Sequence, residues 1–257
     1  MTNMKKHLPI LVATILCFGL SPAFSQFGPR PGGPAGLNLS VSMAKLFGDN
    51  SAFTANLEIR AGQGADLTIV PGILSATDGK VRFEMDMSQM KGGHIPPSAV
   101  SQMKAMGMDK IVMIARPDKK ITWLLYPGLQ AYAEMPNQDP DAGKAASDFT
   151  AVTTELGRET VDGHACTKNK VVVSDKDGNK HESTVWNAPD LKNFPVQIAM
   201  AQDGNVNTML FKNVKLEKPD SGQFDPPSSY TKYENMQALI QQEMMKHISG
   251  GMAAPPH

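Results

Sequence analysis

The sequence predicts a mainly β protein with helices: a curved antiparallel sheet or half-barrel of about eleven strands, covered on its concave side by helices. Three observations predict it. Asp-Gly pairs recur as hairpin signals at Thr77–Lys80, Lys176–Asn179 and Gln202–Asn205, and glycine accepts the positive φ that such tight turns require. Period-two patterning accompanies them: Val81, Phe83, Met85 and Met87 share one side of a run, while Arg82, Glu84 and Asp86 share the other. Strand runs do not alternate with long helical runs, which argues against a parallel α/β architecture.

The chain opens with three features of a secretory signal, residues 1–25: Lys5 and Lys6, the apolar run Leu8–Leu20, and small residues Ala23 and Ser25. The run is shorter than the roughly 20 residues a bilayer span needs. Leu16 precedes Cys17 where a lipoprotein signal wants a small residue, so the reading is cleavage after Ser25 without a lipid anchor. Residues 26–39, rich in Pro and Gly, read as a flexible leader. Residues 40–248 form one domain, and residues 249–257 a disordered tail.

Within the domain, Ser40–Phe47 reads as a short helix. Strand runs follow at Phe53–Arg60, Asp66–Ser75, Lys80–Met87, Lys110–Ala115, Ile121–Tyr126, Leu129–Met135, Thr153–Arg158, Lys168–Ser174, Lys180–Trp186, Phe194–Ala201 and Val206–Leu216. Turns at Arg116–Lys120 and Pro127–Gly128 separate three of them. Ile121, Trp123 and Leu125 alternate with Leu124 and Tyr126, so both faces of that strand are apolar. Helices are expected at Pro97–Met106, with Val100, Met103 and Met106 on one face, and at Tyr233–Ile248, with Met236, Ile240, Met244 and Ile248 on one stripe. Asn137–Ala146 reads as a polar loop.

The residues LGRETVDGHACTKNKV, with ARPDKKITWLLYPGLQAYAEM upstream and WNAPDLKNFPVQIAM and FKNVKLEKPDSGQFDPPSSYTK downstream, resemble the DUF4412 family of exported bacterial proteins. That family in turn resembles the lipoprotein-carrier and lipoprotein-receptor superfamily. The resemblance spans roughly Phe53 to Tyr230. It implies a half-barrel of eleven strands wrapped over helices, whose hollow holds acyl chains in the superfamily's carriers. It transfers no site residues. The family's aromatic three positions after the cysteine is Asn169 here.

Chemistry-bearing residues are sparse. No HExxH or G-x-S-x-G motif occurs, and His164, two residues before Cys166, is read as disfavouring a local Cys–His pair, with a partner distant in sequence left open. No catalytic residue, cofactor or resident metal is expected. With residues 1–25 removed, 23 basic residues face 25 acidic ones, which gives no electrostatic footprint for nucleic acid. Cys166 then stands alone, without an internal disulfide, and reads as a buried small hydrophobe. Glu155, Glu159, Asp139 and Asp141 read as solvated charge, Trp123 and Trp186 as core anchors, and Lys168, Lys170, Lys176 and Lys180 as edge protection.

The resulting expectation is an exported, periplasmic or secreted, soluble and non-enzymatic protein. Its hollow takes an acyl chain, a lipid or a lipidated partner against Phe83, Met85, Met87, Met103, Met106, Trp123, Met236, Ile240 and Met244. The alternative is an envelope structural or interaction protein with a filled core. A third reading, thioether capture of Cu(I), rests on Met85, Met87, Met90, Met103, Met106 and Met108 around His94.

Overall fold

The computed structural model describes residues 40–93, 96–137, 141, 144–202 and 205–250. The expected signal and leader, His94, and residues 251–257 of the expected tail lie outside the described residues.

The eleven expected runs are all strands. They are β1 (Phe53–Ala61), β2 (Thr68–Thr77), β3 (Lys80–Asp86), β5 (Lys110–Arg116), β6 (Ile121–Tyr126), β7 (Ala131–Pro136), β8 (Phe149–Val161), β9 (His164–Asp175), β10 (Lys180–Ala188), β11 (Phe194–Gln202) and β12 (Asn205–Lys215). Two short strands join them, β4 (Lys91–Gly92) and β13 (Thr231–Tyr233). All thirteen form one open sheet in the order β13-β7-β6-β5-β3-β2-β1-β12-β11-β10-β9-β8, with β4 beside β2. Every pair is antiparallel except β13 with β7.

Local chemistry sets the turns. Asp78 and Gly79 both have positive φ, the pattern of a two-residue hairpin turn. Three other strands end in one device, a Pro-led single turn followed by a left-handed residue: Pro117–Lys119 then Lys120, Pro127–Leu129 then Gln130, and Pro189–Leu191 then Lys192. Proline supplies the fixed φ of the first position in each. Pro71, which has no N–H, lies in β2 where the partner changes: Thr68 and Ile69 pair with β4, and pairing with β3 begins at Gly72.

The expected run Thr153–Arg158 is extended at both ends. β8 continues to Val161, with a bulge between Glu155 and Gly157, and the reversal is the two-residue turn Asp162–Gly163. The helices are α1 (Val41–Ala44), α2 (Pro97–Ala105) and α3 (Met236–Gly250). A single turn, Lys45–Phe47, prolongs α1. α3 starts three residues later than the expected helix and continues to Gly250, past the point where the tail was expected to begin.

The connection from β7 to β8 constrains the sheet. These strands lie ten steps apart in the strand order, about 48 Å across a flat sheet at ~4.8 Å per step. Yet Asp141, five residues beyond Pro136, accepts a hydrogen bond from the Ser42 N–H of α1 at 3.0 Å, and α1 packs against β9. Five residues reach at most ~18 Å. The sheet must therefore bend toward the face that carries α1.

Two apolar clusters follow from strand parity. The larger lies on the face carrying α1 and includes Leu239 of α3. At its β1–β12 end, the rings of Phe47, Phe53, Phe194 and Phe211 pack edge-on or stacked, with centroids 4.9–6.4 Å apart. The smaller cluster is on the opposite face of β5–β6: Val112, Ile114, Trp123 and Leu125, covered by Phe224 and flanked by Tyr132 and Tyr230.

Candidate functional site

The register places an unbroken apolar row across seven strands. Ala55, Leu74, Phe83, Met113, Leu124, Ala133 and Tyr233 are successive cross-strand partners from β1 to β13, and all are buried. A second row, Leu57–Gly72–Met85–Ile111, runs beside it. Gly72 is required there: a Cβ would lie 2.5 Å from the Phe83 ring and 2.4 Å from the Glu84 carbonyl oxygen. The third row, Phe53–Ala76–Val81–Ala115–Thr122–Met135, contains one polar side chain. Thr122 is buried, and its Oγ1 has no hydrogen-bond partner. An orphaned hydroxyl on an apolar face calls for an explanation.

Methionine-bearing segments meet this part of the sheet. Met90, Met103, Met108, Met135 and Met236 are partly buried against the larger cluster, and Met85 and Met87 belong to it. Thioether side chains adapt to irregular apolar surfaces. α3 packs on β7 and β13. Its deepest residue is Leu239, with Met236, Ala238 and Ile240 alongside.

A polar latch holds α3 at the sheet's end. The Tyr233 hydroxyl donates to Glu243 Oε1 at 2.5 Å, and Lys246 Nζ donates to Glu243 at 2.7 Å and to Tyr233 at 3.0 Å. Glu243 is only 8 % exposed. The same bonds hold the Lys246 ammonium above its ordinary pKa.

The expected site residues separate into three groups. Phe83, Met85, Met87, Met103, Met236 and Ile240 meet in the larger cluster. Met106 and Met244 are half-buried and lie outside the residues packed on it. Trp123 is not with them. Alternation along β6 sends Leu124 and Tyr126 to the larger cluster and Trp123 to the smaller one, where its indole N–H donates to Glu134 at 3.1 Å. Lys119 and Arg116 lie over its ring. The stripe reading of α3 missed Leu239 and Glu243. The i, i+3, i+7 spacing of Met236, Leu239 and Glu243 was a usable signal, but a glutamate on that face reads as polar until Tyr233 is placed beside it.

Cys166 is 2 % exposed, and its thiol donates to the His164 carbonyl at 3.4 Å. Burial pushes its pKa up, which suits an inert thiol. His164 Nδ1 pairs with Asp190 at 2.7 Å. A cleft of about 690 Å³ lies beside these residues, lined by Arg158, Glu159, Thr160, Ala165, Cys166, Thr167, Pro189 and Asp190. Among the described residues, no group of three or more His, Cys, Asp or Glu side chains could hold a metal ion.

No family model matches the chain, and no curated protein matches it. Solved structures do. Lipoprotein LppX of Mycobacterium tuberculosis is similar over 70 % of this chain and 96 % of its own, at 11 % identity and a TM-score of 0.40. A LolA superfamily protein of Nitrosomonas europaea is similar over 74 % and 97 %, at 11 % identity and a TM-score of 0.38. LprF of Mycobacterium bovis is similar over 74 % and 95 %, at 11 % identity and a TM-score of 0.39. Likeness this distant gives no ground for reading a ligand or an activity.

Proposed function

We propose that this chain is an exported, non-enzymatic binding protein of the DUF4412 type, and that it takes an acyl chain, a lipid or a lipidated partner on the apolar face beneath α3. The observation that carries the reading is the seven-strand apolar row from Ala55 to Tyr233, met at its β7–β13 end by one helix rather than by a second sheet. Displacing α3 uncovers the β7–β13 end of this row, where Ala133 and Tyr233 are cross-strand partners, beside Leu124 and Tyr126 of β6. Each methylene buried there contributes about 0.8 kcal/mol. Thr122 gives this face a polar anchor for a ligand oxygen. The ligand belongs to this half of the face, because the four phenylalanine rings fill the β1–β12 half.

Native mass spectrometry of protein purified without detergent tests the reading. The expected result is a co-purified apolar adduct. Tyr233→Phe, which removes the hydroxyl from the latch, is expected to speed uptake of a fluorescent fatty acid, and Thr122→Val to weaken its retention. A clean apo mass together with no uptake by either variant would overturn it. That result would favour the second reading, a filled-core interaction protein, which the phenylalanine cluster supports.

A further inference from the structure

We infer that β8 is a self-association edge: a second copy of this chain pairs with it antiparallel, about a two-fold axis through Leu156 and Gly157. Among the described residues β8 ends the strand order, so one side of its backbone has no strand partner. It is 13 residues long, and only Phe149 and Val161, at its ends, are buried. Natural edge strands are protected by lysine and other charges, proline, bulges or shortness; β8 contains no lysine and no proline, and the devices it carries are its bulge and the charges of Glu155, Arg158 and Glu159. Val152 and Leu156 are 64 % and 54 % exposed, the two most exposed large apolar side chains among the described residues.

Charge complementarity identifies the occupant. The bulge between Glu155 and Gly157 shifts the parity of the strand. Glu155 pairs with Asn169, and Arg158 with Thr167, so both fall on one face; Glu159, Lys168 and Trp186 bond to one another on the other. Neither Glu155 nor Arg158 has an ion-pair partner among the described residues. A two-fold axis through the bulge places Glu155 opposite the partner's Arg158, and Arg158 opposite the partner's Glu155. The two Leu156 side chains come together at the centre on the opposite face. A bulge facing an ordinary strand breaks the ladder, whereas here each extra residue faces an extra residue and pairing resumes on both sides. Thr153 then meets the partner's Thr160, and Thr154 the partner's Glu159. Opposite-charge and Thr–Thr cross-strand pairs are favourable.

Sedimentation equilibrium on the protein as the cell produces it tests the proposal. The wild type is expected to be a dimer. Glu155→Arg alone, or Arg158→Glu alone, sets like charges opposite each other twice, and each is expected to weaken the dimer roughly tenfold or more. An equimolar mixture of the two single variants is expected to recover a heterodimer, and the double variant E155R/R158E a homodimer. Both positions are exposed, and unchanged thermal unfolding of the single variants separates lost pairing from lost folding. A wild type that stays monomeric, or a dimer indifferent to both reversals, would overturn the proposal. So would failure of the mixture to associate.

Discussion

The two ends of the sheet are built in opposite ways. At one end, β5 and β6 carry buried side chains on both faces: the larger cluster lies on one, where α3 packs on the neighbouring β7 and β13, and Phe224 covers the other. The last strand there, β13, has three residues and leads directly into α3. At the other end, β8 is 13 residues long and bare on both faces between its two buried ends. A strand gains stability from the side chains that pack over it as well as from its ladder. The first end is therefore core, while the second is held by a neighbouring strand and by anchors at its tips.

Those anchors are specific. At the Phe149 tip, Asp175 accepts from Lys144 Nζ at 2.6 Å and from the Asn179 side chain at 2.9 Å, and Lys144 lies over the Phe149 ring. At the Val161 tip, Glu159 accepts from the Trp186 indole at 2.9 Å and from Lys168 at 3.1 Å. Between the tips, β8 presents mainly threonine, glutamate and small residues. The order of stability within the sheet should follow this pattern, with local opening cheapest along β8.

The largest effect is expected from Phe224→Ala. Phe224 is fully buried against Trp123 and its neighbours, so truncation leaves a cavity on the outer face. The expected cost is about 3–5 kcal/mol, measured by denaturant unfolding. Trp123 fluorescence should shift toward that of a wetter indole. A loss below ~1 kcal/mol would show that the outer cover is marginal and that the two ends of the sheet are less different than their burial indicates.

Acid should loosen the open end. Hydrogen bonds from Asn179 and Lys144 hold the Asp175 carboxyl well below the usual carboxylate range. Its folded pKa lies below its unfolded value of roughly 3.9. Its contribution to stability is thus complete above that value and is lost as pH falls through the folded pKa. Asp175→Asn should flatten this acid limb and raise hydrogen exchange at residues 149–154 even at neutral pH. Unchanged exchange there would mean that the Phe149 ring alone pins the tip.

Much of this plan was legible in the sequence, because each strand carries its own period and several turns carry Asp-Gly or Pro. What stayed hidden was non-local. Phe224 sits in a polar, proline-rich stretch, and nothing local marks it as a cover for β6 until the sheet places Trp123 beneath it. Asp162–Gly163 has the same turn chemistry as the other Asp-Gly pairs, yet the expected strand ended at Arg158; in the fold Gly157, at φ 138°, marks a bulge and the strand runs on to Val161. Of the expected site, Phe83, Met85 and Met87 could be read from one alternating strand. Trp123 was assigned to the wrong face, because β6 is apolar on both sides and parity alone does not say which side meets the helices. Glu243 was unreadable for the opposite reason, since its burial depends on Tyr233, a residue of another element.

The smallest expected effect is at Val152, the most exposed large apolar side chain among the described residues. Val152→Thr keeps the β-branch, and hence the strand preference, while replacing an exposed methyl with a hydroxyl. Val152 packs against nothing that the substitution would uncover. Its neighbour across the ladder is Val172, on the same outer face. The expected change in monomer stability is within about 0.5 kcal/mol. If the measured loss were instead ~1.5 kcal/mol or more at concentrations where the chain self-associates, and vanished on dilution, Val152 would be buried by a partner rather than by the fold, because stability gained from association depends on concentration. A loss that persisted on dilution would mean that β8 is packed within its own chain, and the contrast between the two ends of the sheet would fail.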